Sequence, residues 1–226
     1  MSTLFIVASP IGNLKDITLR ALETLKEVSL IACEDTRHSL KLLTHYGIRK
    51  PLMSCHGHNE KSALTRIIAR LDAGEDAAYL SDAGTPSMSD PGAALAAAAR
   101  AAGHRVVPLP GPSAFATLVS AAGIGGRAVT FEGFLSPKPG RRRTRLAELL
   151  EREEAFLVYE SPHRLLKLLA DLAELEPERL IVIGREMTKE FEEFVSAPAA
   201  RAAADFAARE KILGECSVLV SGRKKH

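Results

Sequence analysis

Short apolar runs alternate with stretches of helical apolar spacing through the first half of the chain. Residues 4–8 (LFIVA) form the first run. Residues 18–28 follow with Leu19, Leu22, Leu25 and Val28 on one helical face, with Asp16 or Thr18 as its cap. The alternation then repeats: strand 30–33, helix 37–46, strand 52–55, helix 62–73, strand 77–80, helix 91–102, strand 105–109, helix 113–122. Gly47, Gly74 and Gly103 stand just past three of these helices, where chains commonly turn left-handed. Strand and helix in five-fold alternation predict a parallel sheet covered on both faces.

Gly123-Ile124-Gly125-Gly126 interrupts this rhythm and predicts a domain boundary, with one domain over 1–124 and a second over 125–226. The second half reads as strands 129–135, 155–159, 180–184, 191–195 and 217–220, with helices 143–152, 165–175 and 198–209. The link between 180–184 and 191–195 is too short for a helical crossover, so the second sheet is mixed. The predicted fold class is α/β, with two αβα domains, the first around a five-stranded parallel sheet.

The 226 residues carry 30 Lys and Arg against 28 Asp and Glu, a net charge of +2. A chain so balanced is no uniformly basic coat for nucleic acid, and any basic surface must come from local clustering. The 46% hydrophobic content excludes a disordered chain. No run reaches the length of a membrane span, and residues 4–8 are too short for a signal core. Cys33, Cys55 and Cys216 are widely spaced and odd in number, which points to a reducing, cytoplasmic setting.

Ligands of open parallel sheets bind beyond the carboxyl ends of strands. Three loops rich in Gly, Pro and Ser fall there: Ser9-Pro10-Ile11-Gly12-Asn13, the stretch 81–92, and 108–113. Small residues let a ligand approach the backbone, and prolines stiffen the loop. The same residues also serve ordinary turns. Neither a P-loop nor a G-x-G-x-x-G follows the first strand, which removes the main support for an NTPase or a nicotinamide enzyme.

These residues carry a resemblance. Ser9-Pro10-Ile11-Gly12-Asn13-Leu14, Glu34-Asp35-Thr36-Arg37, Ser81-Asp82-Ala83-Gly84-Thr85-Pro86 and Ser89-Asp90-Pro91-Gly92 resemble the tetrapyrrole methylase superfamily. Pro110-Gly111-Pro112-Ser113-Ala114, Gly133-Phe134-Leu135, Tyr159-Glu160-Ser161-Pro162-His163-Arg164 and Arg185-Glu186-Met187-Thr188-Lys189 extend the likeness to its ribosomal RNA small subunit methyltransferase I branch. The resemblance implies a class III methyltransferase that binds S-adenosyl-L-methionine between two domains, usually as a homodimer. It implies 2′-O-methylation of a cytidine ribose in the decoding region of small-subunit ribosomal RNA, free or in the assembled subunit. Pro10-Ile11 stands where the tetrapyrrole-modifying relatives have glycines, which favours the RNA branch. Ser9 replaces the branch's more usual Thr and keeps the hydroxyl.

By the same resemblance, Pro10, Ser81, Asp82, Ala83, Thr85, Gly111, Ser113 and Ala114 hold the donor, and Glu160, Ser161 and Pro162 supply a wall from the second domain. Asp82 either faces the cationic sulfonium or caps the following turn. A ribose hydroxyl must lose its proton, so a base helps. The candidates are Glu34, Asp35, Glu160, His163, Glu186 and Lys189, the last only if its pKa is depressed. Each acidic residue has an alternative role in an ion pair with Arg37, Arg164 or Arg185. The chemistry requires no metal, and Cys55-His56-Gly57-His58 lacks the partner cluster of a zinc site. Lys138, Arg141, Arg142, Arg143 and Arg145 form a basic loop suited to RNA phosphates, helped by the tail 223–226. Phe131 and Phe134 read as core. The competing functions are C-methylation of a tetrapyrrole and non-catalytic RNA binding.

Overall fold

The computed structural model describes residues 1–57, 59–88 and 92–223. The chain divides into two compact units, Met1–Ser113 and Ala114–His226. In the first unit β1 (Thr3–Val7), α1 (Leu19–Glu27), β2 (Leu30–Cys33), α2 (Thr36–His45) and β3 (Leu52–Ser54) follow in order. Then come α3 (Glu60–Asp72), β4 (Ala77–Leu80), α4 (Gly92–Ala101) and β5 (Arg105–Leu109). The strands form a sheet of order β3-β2-β4-β1-β5, and every pair is parallel. Leu4 lies level with Ala77 on one side and Val106 on the other.

The central strands β2 and β4 are buried at every position, which explains their unbroken apolar sequence. One face buries Ala21 and Leu25 of α1 with Leu42 and Leu43 of α2 against Val7, Ile31, Ala78 and Leu80. The other buries Ala63, Ile67 and Leu71 of α3 with Leu95 and Ala99 of α4 against Leu4, Leu30, Ala32 and Tyr79. Alternate residues of each strand thus face opposite helix pairs. Thr18, not Asp16, caps α1, its side chain accepting from the Ala21 N–H.

The second unit contains α5 (Ala114–Ala121), β6 (Val129–Phe134), α6 (Pro139–Leu150), β7 (Ala155–Glu160) and α7 (Pro162–Leu175). It ends with β8 (Leu180–Arg185), β9 (Glu193–Pro198), α8 (Ala199–Ala207) and β10 (Cys216–Val220). Its sheet has the order β6-β7-β10-β8-β9. Only β6 and β7 run parallel, so the sheet is mixed. Three helices, α6, α7 and α8, cover one face over Phe156, Ile183 and Val218. Helix α5 covers the other face.

Four expectations from the sequence differ from this structure. The two units divide at 113/114 rather than at the glycine stretch, because Leu118 of α5 is fully buried among Leu157, Val182 and Leu219. The strand expected at 191–195 forms two residues later as β9, Glu193–Pro198, whose alternating half-buried and exposed residues mark an edge strand. The basic stretch expected as a loop is already helix from Pro139, which occupies the first turn and tolerates its missing N–H there. Phe134, read as core, is 59% exposed, and its ring meets Tyr159 edge-on. No helix among the described residues is long and apolar enough to cross a membrane.

Candidate active site

The carboxyl ends of the first sheet's strands are stitched together. Ser9, just past β1, and Gly84, past β4, exchange two backbone hydrogen bonds of 3.0 and 3.1 Å. Gly84 takes a left-handed φ of +79° that a side chain would resist, and Ser81 Oγ donates to its carbonyl at 2.5 Å. Thr85 Oγ1 donates to the Pro112 carbonyl past β5 at 2.9 Å. Gly111 completes the triangle: a Cβ there would stand 2.8 Å from the Cβ of Ala8. Two further strand ends join in. The Asp35 N–H past β2 donates to Asp82 Oδ1 at 3.2 Å, and Ser54 Oγ at the end of β3 donates to the Glu34 carbonyl.

Helices α1 and α2 lie on one face of this sheet and α3 and α4 on the other, so the loops after neighbouring β1 and β4 diverge to opposite faces. Such a divergence opens a crevice for a ligand. Pro10, Asp82, Thr85 and Ser113 are half-buried around it, Ala83 is exposed, and Gly111 is exposed above Ala8. Ser9 Oγ is buried and has no hydrogen-bond partner among the described residues. A buried hydroxyl left unpaired at this point is a group that a bound ligand or water can satisfy. Ser89, Asp90 and Pro91, part of the same sequence motif, lie outside the described residues.

The expected catalytic residues fall in two places. Glu34 and Asp35 follow β2 in the first unit. Asp35 caps α2, and its carboxylate also binds Arg37, which lowers its pKa to about 2 and makes it a weak base. Glu34 is half-buried beside it. Glu186 and Lys189 belong to the loop after β8 in the second unit. Lys189 Nζ lies 2.7 Å from Glu186 and 3.0 Å from Glu215. Burial works against its charge, but these carboxylates outweigh burial and raise its pKa. Lys189 therefore stays protonated at neutral pH, and the depressed pKa that a neutral base needs is absent. Burial likewise opposes the Glu186 charge, yet Lys189 and the Glu215 N–H hold its pKa below the usual range.

Glu186 and Thr188 have φ of 51° and 67°, in the left-handed region that non-glycine residues avoid. The Glu186 carboxylate fills the space where a Cβ of Gly214 would stand and accepts from the Glu215 N–H. Sequence reading singled out Glu186 but missed Gly214, whose only signal is an isolated glycine before a strand.

Glu160, expected as a donor wall, is buried and accepts from Arg164 Nε at 2.6 Å and from the Ser161 N–H at 2.8 Å. It fixes the start of α7. Ser161 and Pro162 open that helix and are half-buried, Ala114 opens α5, and His163 is exposed.

The five basic residues expected to meet RNA are divided. Arg142 is buried and bonds Asp171 at 2.6 Å. Arg143 binds Glu174, and Arg145 grips Glu132 with two nitrogens and Glu148 with a third. Only Lys138 and Arg141 of the five make no ion pair among the described residues. Arg223 of the tail lies 3.7 Å from Glu151, and residues 224–226 lie outside the described ones. Cys55 is a buried free thiol and the His56 N–H donates to Asn59, while His58 lies outside the described residues.

Residues 3–203 match the model of the Tetrapyrrole (Corrin/Porphyrin) Methylases. The chain is 50% identical over 223 residues to Ribosomal RNA small subunit methyltransferase I of Pseudomonas aeruginosa, covering 97% of this chain and 79% of that protein. It is 45% identical to the protein of the same name from Borrelia garinii subsp. bavariensis, covering 96% and 98%. Among solved structures, the uroporphyrin-III C-methyl transferase of Thermus thermophilus complexed with S-adenyl homocysteine has a TM-score of 0.65 at 16% identity, covering 97% of each chain. That likeness supports the fold. With the sequence matches spanning nearly the whole chain, the protein belongs to the tetrapyrrole methylase family and, within it, to the ribosomal RNA small subunit methyltransferase I group of S-adenosyl-L-methionine-dependent enzymes.

Proposed function

We propose that the chain methylates the 2′-oxygen of a cytidine ribose in the decoding region of small-subunit ribosomal RNA, acting in the cytosol as a homodimer. The observation that carries this reading is the stitched crevice at the ends of β1, β4 and β5, with its orphan Ser9 hydroxyl, in a chain of this family. When bound, S-adenosyl-L-methionine supplies a methyl group already activated on a sulfonium. The protein's task is then alignment and exclusion of water.

In this reading Pro10, Ser81, Ala83, Thr85, Gly111 and Ser113 shape the crevice, and backbone carbonyls with Asp82 face the donor's positive charge. The ribose oxygen attacks the methyl carbon in line. Transfer would leave the bonding pair on sulfur, and the hydroxyl proton would pass to a base. We assign that base to Glu34, which follows β2 directly before Asp35, the residue whose N–H bonds Asp82 of the crevice. Replacing Glu34 with Gln should lower kcat by about 10²–10⁴-fold and leave donor affinity unchanged.

The deciding experiment supplies labelled donor and unmethylated small subunits, then maps alkali-resistant linkages in the RNA. Label at one ribose is expected. Label on a base or on a supplied tetrapyrrole, or none at all, overturns the proposal.

A further inference from the structure

The sequence from residue 36 to residue 59 contains no Asp or Glu, yet it holds Arg37, His38, Lys41, His45, Arg49 and Lys50. Helix α2 begins at Asp35, beside the strand ends that form the candidate active site. It runs ten residues, about 15 Å, from the carboxyl ends of the strands back toward the amino end of β3. Arg37, Lys41 and His45 recur at every fourth position and so share one helix face. Arg37 is taken by Asp35. Lys41 and Arg49 are exposed and Lys50 is half-buried, and none of the three makes an ion pair among the described residues.

Past the helix, the chain bends through Gly47 and forms a groove of about 570 Å³ lined by Leu40, Leu43, Thr44, Arg49, Lys50 and Pro51. Leu40 is 53% exposed at its rim. No aromatic ring lines it, so bases have nothing to stack on and recognition falls to the charges. The contrast with α6 is direct, since there Arg142, Arg143 and Arg145 spend their charge on Asp171, Glu174 and Glu132. Unpaired cations cost no ion pair when they meet phosphate.

We infer that α2 and the turn 47–51 form an RNA-backbone track, with Lys41, Arg49 and Lys50 gripping phosphates of the strand that enters the active site. This inference rests on the RNA reading above and names the surface that serves it. Each cation that neutralises a phosphate adds about 0.7–0.9 to the slope of log affinity against log salt.

The test compares wild type with the triple variant Lys41→Ala/Arg49→Ala/Lys50→Ala, using unmethylated small subunits across a salt series. The variant's slope should be shallower by about 2, and its affinity at low salt at least tenfold weaker. Heat of association with S-adenosyl-L-methionine should be unchanged, which also reports an intact fold. A matched Lys138→Ala/Arg141→Ala variant should shift the slope less. Equal slopes for wild type and triple variant, with wild type still methylating RNA, overturn the track alone. Equal slopes together with lost self-association in sedimentation would assign the groove to a second copy of the chain and also overturn it. A wild-type protein that neither binds nor methylates the subunit overturns the functional reading and the track together.

Discussion

The two sheets secure their polar ends by different means. In the first unit, mostly uncharged groups do the joining: Ser9 to Gly84, Ser81 to Gly84, Thr85 to Pro112, with Gly111 pressed on Ala8 and a single carboxylate, Asp82, taking the Asp35 N–H. In the second, ions do it: Arg164 with Glu160, Lys189 with Glu186 and Glu215, and Glu193 between Arg185 and Arg209. The difference teaches where each unit is sensitive. Neutral stitching survives acid and salt but depends on small residues at fixed points. Ionic stitching tolerates changes of size but depends on protonation and on keeping both partners.

The strongest way to break the ionic side is Arg142→Ala. It leaves the Asp171 carboxylate, 90% buried, with Arg143 Nη1 at 3.8 Å as its remaining ion-pair partner among the described residues. Urea unfolding should show a loss of about 3–5 kcal/mol, and the double change Arg142→Met/Asp171→Leu should recover most of it. A single variant as stable as wild type would show that the pair is not a structural tie.

The neutral side breaks at Gly111→Val. The new side chain must displace either Ala8 or the loop that holds Ser113, at about 1–3 kcal/mol. Calorimetry should show donor affinity at least tenfold weaker, while the second unit's acid response stays as in wild type. Undiminished donor affinity would place the donor away from this crevice.

The smallest effect sharpens the contrast. Arg209 chiefly, with Arg185, overcomes partial burial and lowers the Glu193 pKa from 4.5 to about 2. A depressed carboxylate stabilises the fold above its unfolded pKa and loses that contribution as pH falls through the folded one. Glu193→Gln should therefore cost on the order of 1 kcal/mol at pH 7 and show a flatter stability profile between pH 4.5 and 2. Identical acid profiles would remove Glu193 from the account.

The sequence was most legible where burial is complete. The apolar runs of β2, β4 and β8 are strands because both of their faces are covered. The strand-end loops were equally plain, since Gly, Pro and Ser together signal tight backbone. The bonds that join them were hidden, because Ser9 and Gly84 are far apart in the chain. Distance also concealed the fate of the α6 arginines: the partners Asp171 and Glu132 lie outside any helical repeat that sequence spacing can test. Helix α5 was assigned to the wrong side of the boundary because an amphipathic helix does not state which sheet it will cover.

The seat of Glu186 over Gly214 carries a consequence for how this protein can change. One small volume is shared by a carboxylate from one loop and a bare α-carbon from another. Residue 186 can shrink alone, but a side chain at 214 meets both the Glu186 carboxylate and a left-handed φ of +89°. A saturation library should therefore recover few replacements of Gly214, and those mostly in clones that have also trimmed residue 186, so the tolerance of one site would depend on another 28 positions away in the chain.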